Sequence, residues 1–167
     1  EHAGYLLAGV HRYTERDGAE EREVLEYLVQ DVECLGMDEY ANQGAHNVTL
    51  DHTTLREATF NAASDDRYLE DRAIIVAHSH PFQRDPSYSS LDDSSEPMAF
   101  VALTAEGEGP QASLVFGADD TLAGRVWPSD VGRIRNEEVS GTDPIDEIVV
   151  VGDDQLKRIQ TTNSRLN

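Results

Sequence analysis

The chain has 167 residues, 38% of them hydrophobic, which is the size of one domain with apolar content enough for a buried core and too much for a disordered chain. Its 33 acidic and 13 basic residues give a formal net charge of −20. That excess repels phosphate backbones and anionic headgroups, so nucleic acids and membrane surfaces are excluded as partners.

In chain order, Gly4 to Val10 is a short apolar run that predicts a buried strand. Thr14 to Ala19 is polar and carries Asp17-Gly18, a hairpin turn signal, and Val24 to Leu35 reads as the returning strand. Cys34 is the single cysteine, so an internal disulfide and a cysteine-based zinc finger are both excluded. Its apolar neighbours Val32 and Leu35 predict a small buried residue. Asp38 to Asn47 reads as a polar loop and Val48 to Leu50 as a short strand. From Asp51 the pattern changes: Leu55, Ala58, Thr59, Ala62 and Ala63 fall at helical spacing, with Asp51 or Thr53 as the cap.

Ala73 to Ala77 is apolar at every position, as expected of a central strand buried on both faces. It leads into His78-Ser79-His80-Pro81 and a loop broken by Pro81 and Pro86. A helix is predicted from about Leu91 to Thr104, ended by Gly107-Glu108-Gly109-Pro110. Ala112 to Phe116 and Leu122 to Trp127 read as a hairpin around Ala118-Asp119-Asp120, with Trp127 in core or strand-edge packing. Ile145 to Val151 predicts a further strand. Residues 153–167 read as a polar tail or linker, helical at first, after a domain spanning 1–152. No apolar run approaches the ~20 residues that cross a bilayer, and no signal peptide is visible, so a cytoplasmic protein is expected. The mixture predicts an α/β domain in two or three layers, a mixed sheet flanked by helices.

His78 and His80 stand at i, i+2 where a buried strand ends. Successive strand side chains alternate faces, so both imidazoles point the same way, about 6.6 Å apart along the strand at roughly 3.3 Å per residue. Two imidazoles so placed can share a zinc ion, and a catalytic zinc takes a third protein ligand while keeping one position open. The following loop offers Asp85, Asp92 and Asp93. Acids at a helix start are also common for dipole reasons alone, and His-x-His alone is compatible with two hydrogen-bonded surface histidines. His2, His11, His46 and His52 have no such spacing.

His78-Ser79-His80-Pro81, a spacer, then Ser89-Ser90-Leu91-Asp92 resembles the JAMM (MPN+, or JAB) metalloprotease motif, and Glu1-His2-Ala3-Gly4 before Tyr5 to Gly9 resembles its upstream glutamate strand. The spacer between Pro81 and Ser89 is seven residues, one more than the commonest form, and Gly9 falls one residue late. The rival frame of Ser90 with Asp93 needs a longer spacer still. The resemblance implies the JAB/MPN fold, related to cytidine deaminases. It implies zinc held by His78, His80 and Asp92, Glu1 as the proton carrier, and Ser89 as oxyanion donor; Ser79 reads as structural. A zinc deaminase is disfavoured because the Pro-Cys-x-x-Cys half is absent.

The resemblance further implies cleavage after the C-terminal Gly-Gly of ubiquitin-like or sulfur-carrier proteins or their conjugates. Leu122 to Trp127 and Ile145 to Gly152 resemble prokaryotic JAB domains beside or fused to an E1-like (ThiF-type) adenylating enzyme, which makes such an enzyme an expected partner. The alternatives are a non-catalytic MPN-type scaffold, which lacks metal ligands, and a RadC-like domain, which the charge opposes. Opening at Glu1 without the helix that precedes the glutamate in that family, the sequence reads as a piece of a longer protein.

The acid is spread along the whole chain, and Lys157 is the one lysine. Hydrated carboxylates at this density suit a salt-rich cytoplasm, the alternative being an ordinary acidic protein. A salt-adapted fold weakens on dilution, because repulsion between carboxylates is screened over only about 3 Å at 1 M salt but about 30 Å at 0.01 M. The thermal midpoint is expected to fall between molar salt and dilute buffer; an unchanged melt would remove this reading.

Overall fold

A computed structural model describes residues 2–36, 40–43, 48–50, 57, 72–96, 111–127, 145–152 and 155–161. The strands are β1 (Ala3–Asp17), β2 (Glu20–Cys34), β3 (Tyr40–Gln43), β4 (Val48–Leu50), β5 (Arg72–Ser79), β6 (Gln111–Phe116), β7 (Leu122–Trp127), β8 (Glu147–Val151) and β9 (Leu156–Gln160). Residues 90–96 form a short helix, α1, and Glu57 is helical. No described helix is long and apolar enough to cross a membrane.

Seven strands make one sheet in the order β7-β6-β5-β1-β2-β8-β9, and β3 pairs with β4 separately. The sheet begins with a long antiparallel hairpin, β1 against β2, whose last pair is Asp17 with Glu20. The turn between them needs a left-handed residue at its first position, which Gly18 supplies at φ 64°. β5 joins β1 antiparallel, β6 joins β5 parallel, and β7 returns from β6 antiparallel. The return passes through Asp119 and Asp120, both at positive φ, as in a type I′ turn. On the other side β8 runs parallel to β2, and β9 antiparallel to β8.

The sheet curls. Its two outer strands approach each other, with Gly124 of β7 bridged to Thr161 just past β9. The inside of the curl is the core: Ala8, Leu25, Tyr27, Ala73, Ile75, Ala77, Ala112, Leu114, Val126, Ile148 and Ile159 cluster there. These residues recur at every second position of their strands, as a face of a pleated sheet requires.

The outer face of β5, β6 and β7 carries Ile74, Val76 and His78, then Gln111, Ser113, Arg125 and Trp127. It too is buried: Gln111, Ser113 and Arg125 are each 1% exposed or less. α1 lies against it, as the hydrogen bonds of Glu96 to Ser113, Arg125 and Trp127 show. Polar groups so enclosed need partners, and Gln111 finds one by accepting from the Ile74 amide at 2.6 Å.

The expected α/β architecture, a mixed sheet flanked by helices in the cytidine-deaminase-like (JAB/MPN) manner, is corrected by this structure. The sheet is mixed, but the described residues are mostly β, a curled seven-stranded half-barrel with one short helix among them. The reason lies in β1, β2 and β9. The polar outer halves of β1 and β2 continue the hairpin to its tip, and the curl itself encloses the core that flanking helices would otherwise cover.

Three further expectations change, and one falls outside the described residues. Residues 40–43, read as loop, pair as β3. The segment after Gln155, read as a tail opening in helix, contains β9, because Ile159 fills the gap between the sheet edges. Cys34 is exposed, since it ends β2 past the core. The helices predicted over Asp51 to Ser64 and beyond residue 96 lie outside the described residues, apart from Glu57.

Ile159→Ala is expected to destabilise the domain by roughly 2–5 kcal/mol, the usual range for emptying a buried aliphatic site. A denaturant midpoint equal to that of the wild type would show that the chain past residue 152 is a dispensable tail.

Candidate metal centre

The centre forms where β5 runs out between β1 and β6. Ala3 of β1 stands opposite His78. One step further, Ser79 accepts from the His2 amide through its hydroxyl at 3.0 Å and donates its own amide to the His2 carbonyl at 2.9 Å. Ser79 points to the face opposite the histidines and ties the start of β1 to the end of β5, the structural role expected of it. Beyond β5 the His80 amide donates to the Phe116 carbonyl at 2.7 Å, so His80 still follows β6. Both imidazoles therefore emerge on one face, edge to face with ring centroids 4.9 Å apart.

Pro81 starts a turn in which the Gln83 amide donates to the His80 carbonyl at 3.0 Å. The Ala118 amide in turn donates to the Gln83 carbonyl at 2.6 Å, pulling the loop onto the β6–β7 turn. This approach requires Gly117, because a Cβ there would lie 2.5 Å from the Gln83 carbonyl oxygen. The Gln83 side-chain oxygen sits 3.4 Å from His80 Nδ1 and also accepts from the Ser87 amide at 3.2 Å. A carbonyl oxygen at Nδ1 calls for a proton there, which leaves the Nε2 lone pair to face the centre.

The loop ends at Ser89, the N-cap of α1. Its amide donates to Asp92 Oδ2 at 2.6 Å while its hydroxyl accepts from the Asp92 amide at 3.2 Å. This reciprocal pair is a capping box with aspartate in place of the usual glutamate. It turns the Asp92 carboxylate back toward the strand end. Oδ1 lies 3.3 Å from His78 Nε2 and Oδ2 lies 3.8 Å from His80 Nε2.

His78, His80 and Asp92 each offer a ligand atom, and these atoms lie within 4.8 Å of one another. The chemistry of the set, two imidazole nitrogens and one carboxylate, suits a divalent metal ion with a position left open. One observation tests the fit directly. His78 Nε2 is fully buried and makes no hydrogen bond of good geometry, although Asp92 Oδ1 lies 3.3 Å from it. Buried polar atoms are almost always satisfied, and a nitrogen lone pair awaiting a metal accounts for this exception. Burial pushes the Asp92 carboxyl up, but the His78 imidazole and the two bonds with Ser89 outweigh it and hold it down at about 2. Asp92 is thus a carboxylate whenever the imidazoles are unprotonated, as metal binding requires.

The structure divides the sequence candidates. Asp92 joins the histidines. Asp93 turns away to an ion pair with Arg125 at 2.6 Å, which disposes of the Ser90–Asp93 frame, and Asp85 is exposed on the loop. Ser89 is at the centre's edge as the cap. Glu1 lies outside the described residues. Sequence reasoning missed Gln83, Glu96 and Arg125. Their signal was available: Ser113 and Arg125 are polar residues at alternate positions of otherwise apolar strands, and such positions need buried partners.

Comparison with protein-family models, with curated proteins and with solved structures gives no match for this chain.

The depressed Asp92 carboxyl has a consequence for the metal-free protein. A group whose folded pKa lies below its unfolded value of ~3.9 adds stability that is complete above that value and is lost as pH falls through about 2. Wild type is expected to exceed Asp92→Asn in stability at pH 5, with the gap closing toward pH 2 in urea titrations under chelator. A gap constant over that window would show that Asp92 is not so held.

Proposed function

We propose that this chain is a zinc-dependent hydrolase of peptide or isopeptide bonds, acting after the C-terminal Gly-Gly of a ubiquitin-like or sulfur-carrier protein or its conjugates. The observation that carries the proposal is the convergence of His78, His80 and Asp92, with one histidine nitrogen buried and unpartnered. The resemblance to the JAMM motif supplies the reaction and the substrate class.

Two neutral imidazoles and one carboxylate would hold the ion with a net local charge of about +1, two positive charges less one negative. When bound there, zinc lowers the pKa of water toward ~7 and polarises the carbonyl. The protein's own groups do the rest. Gln83 keeps the His80 ring in one orientation. The Ser89 hydroxyl accepts from the Asp92 amide and retains its proton, which it donates to the oxyanion of the tetrahedral intermediate. Glu1 takes the attacking water's proton and delivers it to the leaving amine. Its neighbour His2 is anchored to Ser79 at the end of β5 through both backbone groups. The specificity is what the resemblance implies: a groove that admits only an extended chain without bulky side chains would favour Gly-Gly.

A metal-free scaffold has one observation on its side. Ser89 and Asp92 cap α1 as any helix start might be capped, with no metal needed. The cap leaves the orphaned His78 nitrogen unexplained, and hydrolysis explains both.

A ubiquitin-like fusion ending in Gly-Gly before its extension, incubated with the zinc-loaded protein in high salt and followed by mass, is expected to be cut after the second glycine. Glu1→Gln should retain zinc and lose ~10²–10⁴-fold in turnover. Zinc content near zero in wild type would sink the metal reading. Bound zinc with no cleavage, or equal cleavage of a Gly→Val substrate, would sink the reaction and leave the metal site standing.

A further inference from the structure

We propose that Arg125 is a positioning residue for the metal centre: its guanidinium clamps the chain on both sides of the Ser89–Asp92 capping box and so fixes where the Asp92 carboxylate points. This inference rests on the metal reading above.

Arg125 projects from β7, on the outer face of the sheet, and its side chain is 1% exposed. It makes three separate attachments to the segment that carries Asp92. Before the box, its guanidinium carbon lies 3.7 Å from the centre of the Tyr88 ring, a stacking contact on the residue that precedes Ser89. Tyr88 cannot slide on that contact, because its hydroxyl donates to the Ser113 carbonyl at 2.6 Å. After the box, Nη1 donates to Asp93 Oδ1 at 2.6 Å and Nε donates to Glu96 Oε2 at 2.8 Å. Residues 88, 93 and 96 are thereby referred to one rigid planar group, and residues 89 to 92 lie between them.

The rest of the environment supports a positional role. Arg125 Nη2 is buried with no hydrogen-bond partner, so the guanidinium is placed at some cost by its other contacts. A lysine would satisfy one carboxylate as a point charge but has neither the fork nor the planar face. The Tyr88 ring also stands 6.4 Å from the His78 ring, edge to face, so the stack that fixes Tyr88 limits the movement of His78. Among the described residues, no hydrogen bond or ion pair joins Arg125 to either imidazole or to Asp92. It acts through Tyr88, Asp93 and Glu96.

The test uses Arg125→Lys, which keeps the charge opposite Glu96, and Asp93→Asn, which removes one attachment at a half-exposed side chain and leaves the buried Glu96 pair intact. Zinc affinity is measured by competition with a chromophoric chelator, and the centre is reported by the visible spectrum of bound cobalt(II). Arg125→Lys is expected to fold, lose about 10–100-fold in affinity as outer partners of metal ligands typically do, and shift the cobalt bands. Asp93→Asn is expected to lose less, in the same direction, with a smaller shift of the same bands. Wild-type affinity and an unchanged cobalt spectrum in Arg125→Lys would overturn the proposal. Should Arg125→Lys fail to fold, an unaltered affinity and spectrum in Asp93→Asn would overturn it instead. Absence of zinc or cobalt binding by the wild type overturns the metal reading itself, and is distinguished by appearing before any substitution is made.

Discussion

The ion pair between Glu96 and Arg125 is buried on both sides, and the placement of α1 depends on it. The described part of α1, residues 90–96, has little stability of its own, since nucleation is unfavourable and two turns return few bonds. α1 must be held from outside. Glu96 does this with both oxygens: one accepts from Ser113, the other from Arg125 and from the Trp127 indole at 3.0 Å. Enclosing a carboxylate and a guanidinium is costly, and the hydrogen bonds to both Glu96 oxygens and from Arg125 Nε and Nη1 offset it. Removing one partner alone leaves a buried charge and typically costs about 3–5 kcal/mol. The pair is thus weak as a source of net stability and strong as a locating device, because any other seat for the helix strands two charges.

The same seat organises the electrostatics. Asp93 and Glu96 share the guanidinium of Arg125, two negative charges against one positive. Arg125 answers Asp93 and Glu96 and does not reach Asp92. Asp92 is left to the Ser89 amide and the two histidines. A divalent cation among these ligands would supply the missing positive charge at the point where the helix, its cap and the strand end meet. On a chain of net charge −20 the centre is a local instance of a general need for counter-charge, with the difference that here the two histidines are buried.

Much of this was legible in the sequence. Asp17-Gly18 marked the first hairpin and Ala118-Asp119-Asp120 the second because turn chemistry is local. The apolar run Ala73 to Ala77 marked the central strand, and alternation put His78 and His80 on one face. The architecture was less legible. Strands β6 and β7 are short and apolar enough to suit either a flanked α/β sheet or a curled one, and what decides is whether the two edges meet, a contact between Gly124 and Thr161 that no local pattern announces. β9 was hidden for a related reason: four of its five residues are exposed, and Ile159 alone reports its buried side. Cys34 followed the rule that cysteines are buried, but its strand outruns the core.

The separation of Asp92 from Asp93 shows how local and tertiary constraints combine. Sequence alone left two adjacent acids as candidates, and a helix turns each residue about 100° from the last. The capping box fixes the rotation of α1, because the Ser89 side chain and amide both bind the third residue after it. With the rotation fixed, Asp92 faces back to its cap and the strand end. Asp93 and Glu96, three residues apart, then share a side and meet one guanidinium. Moving the box by one residue, to Ser90 and Asp93, would turn the acidic pair away from Arg125 and bring the next residue, Ser94, to the place that now binds Nη1. A serine there cannot pair with a buried cation. The frame that serves the histidines is therefore the frame that satisfies Arg125, and the requirement of a buried charge on β7 selects the ligand at the other end of the helix turn.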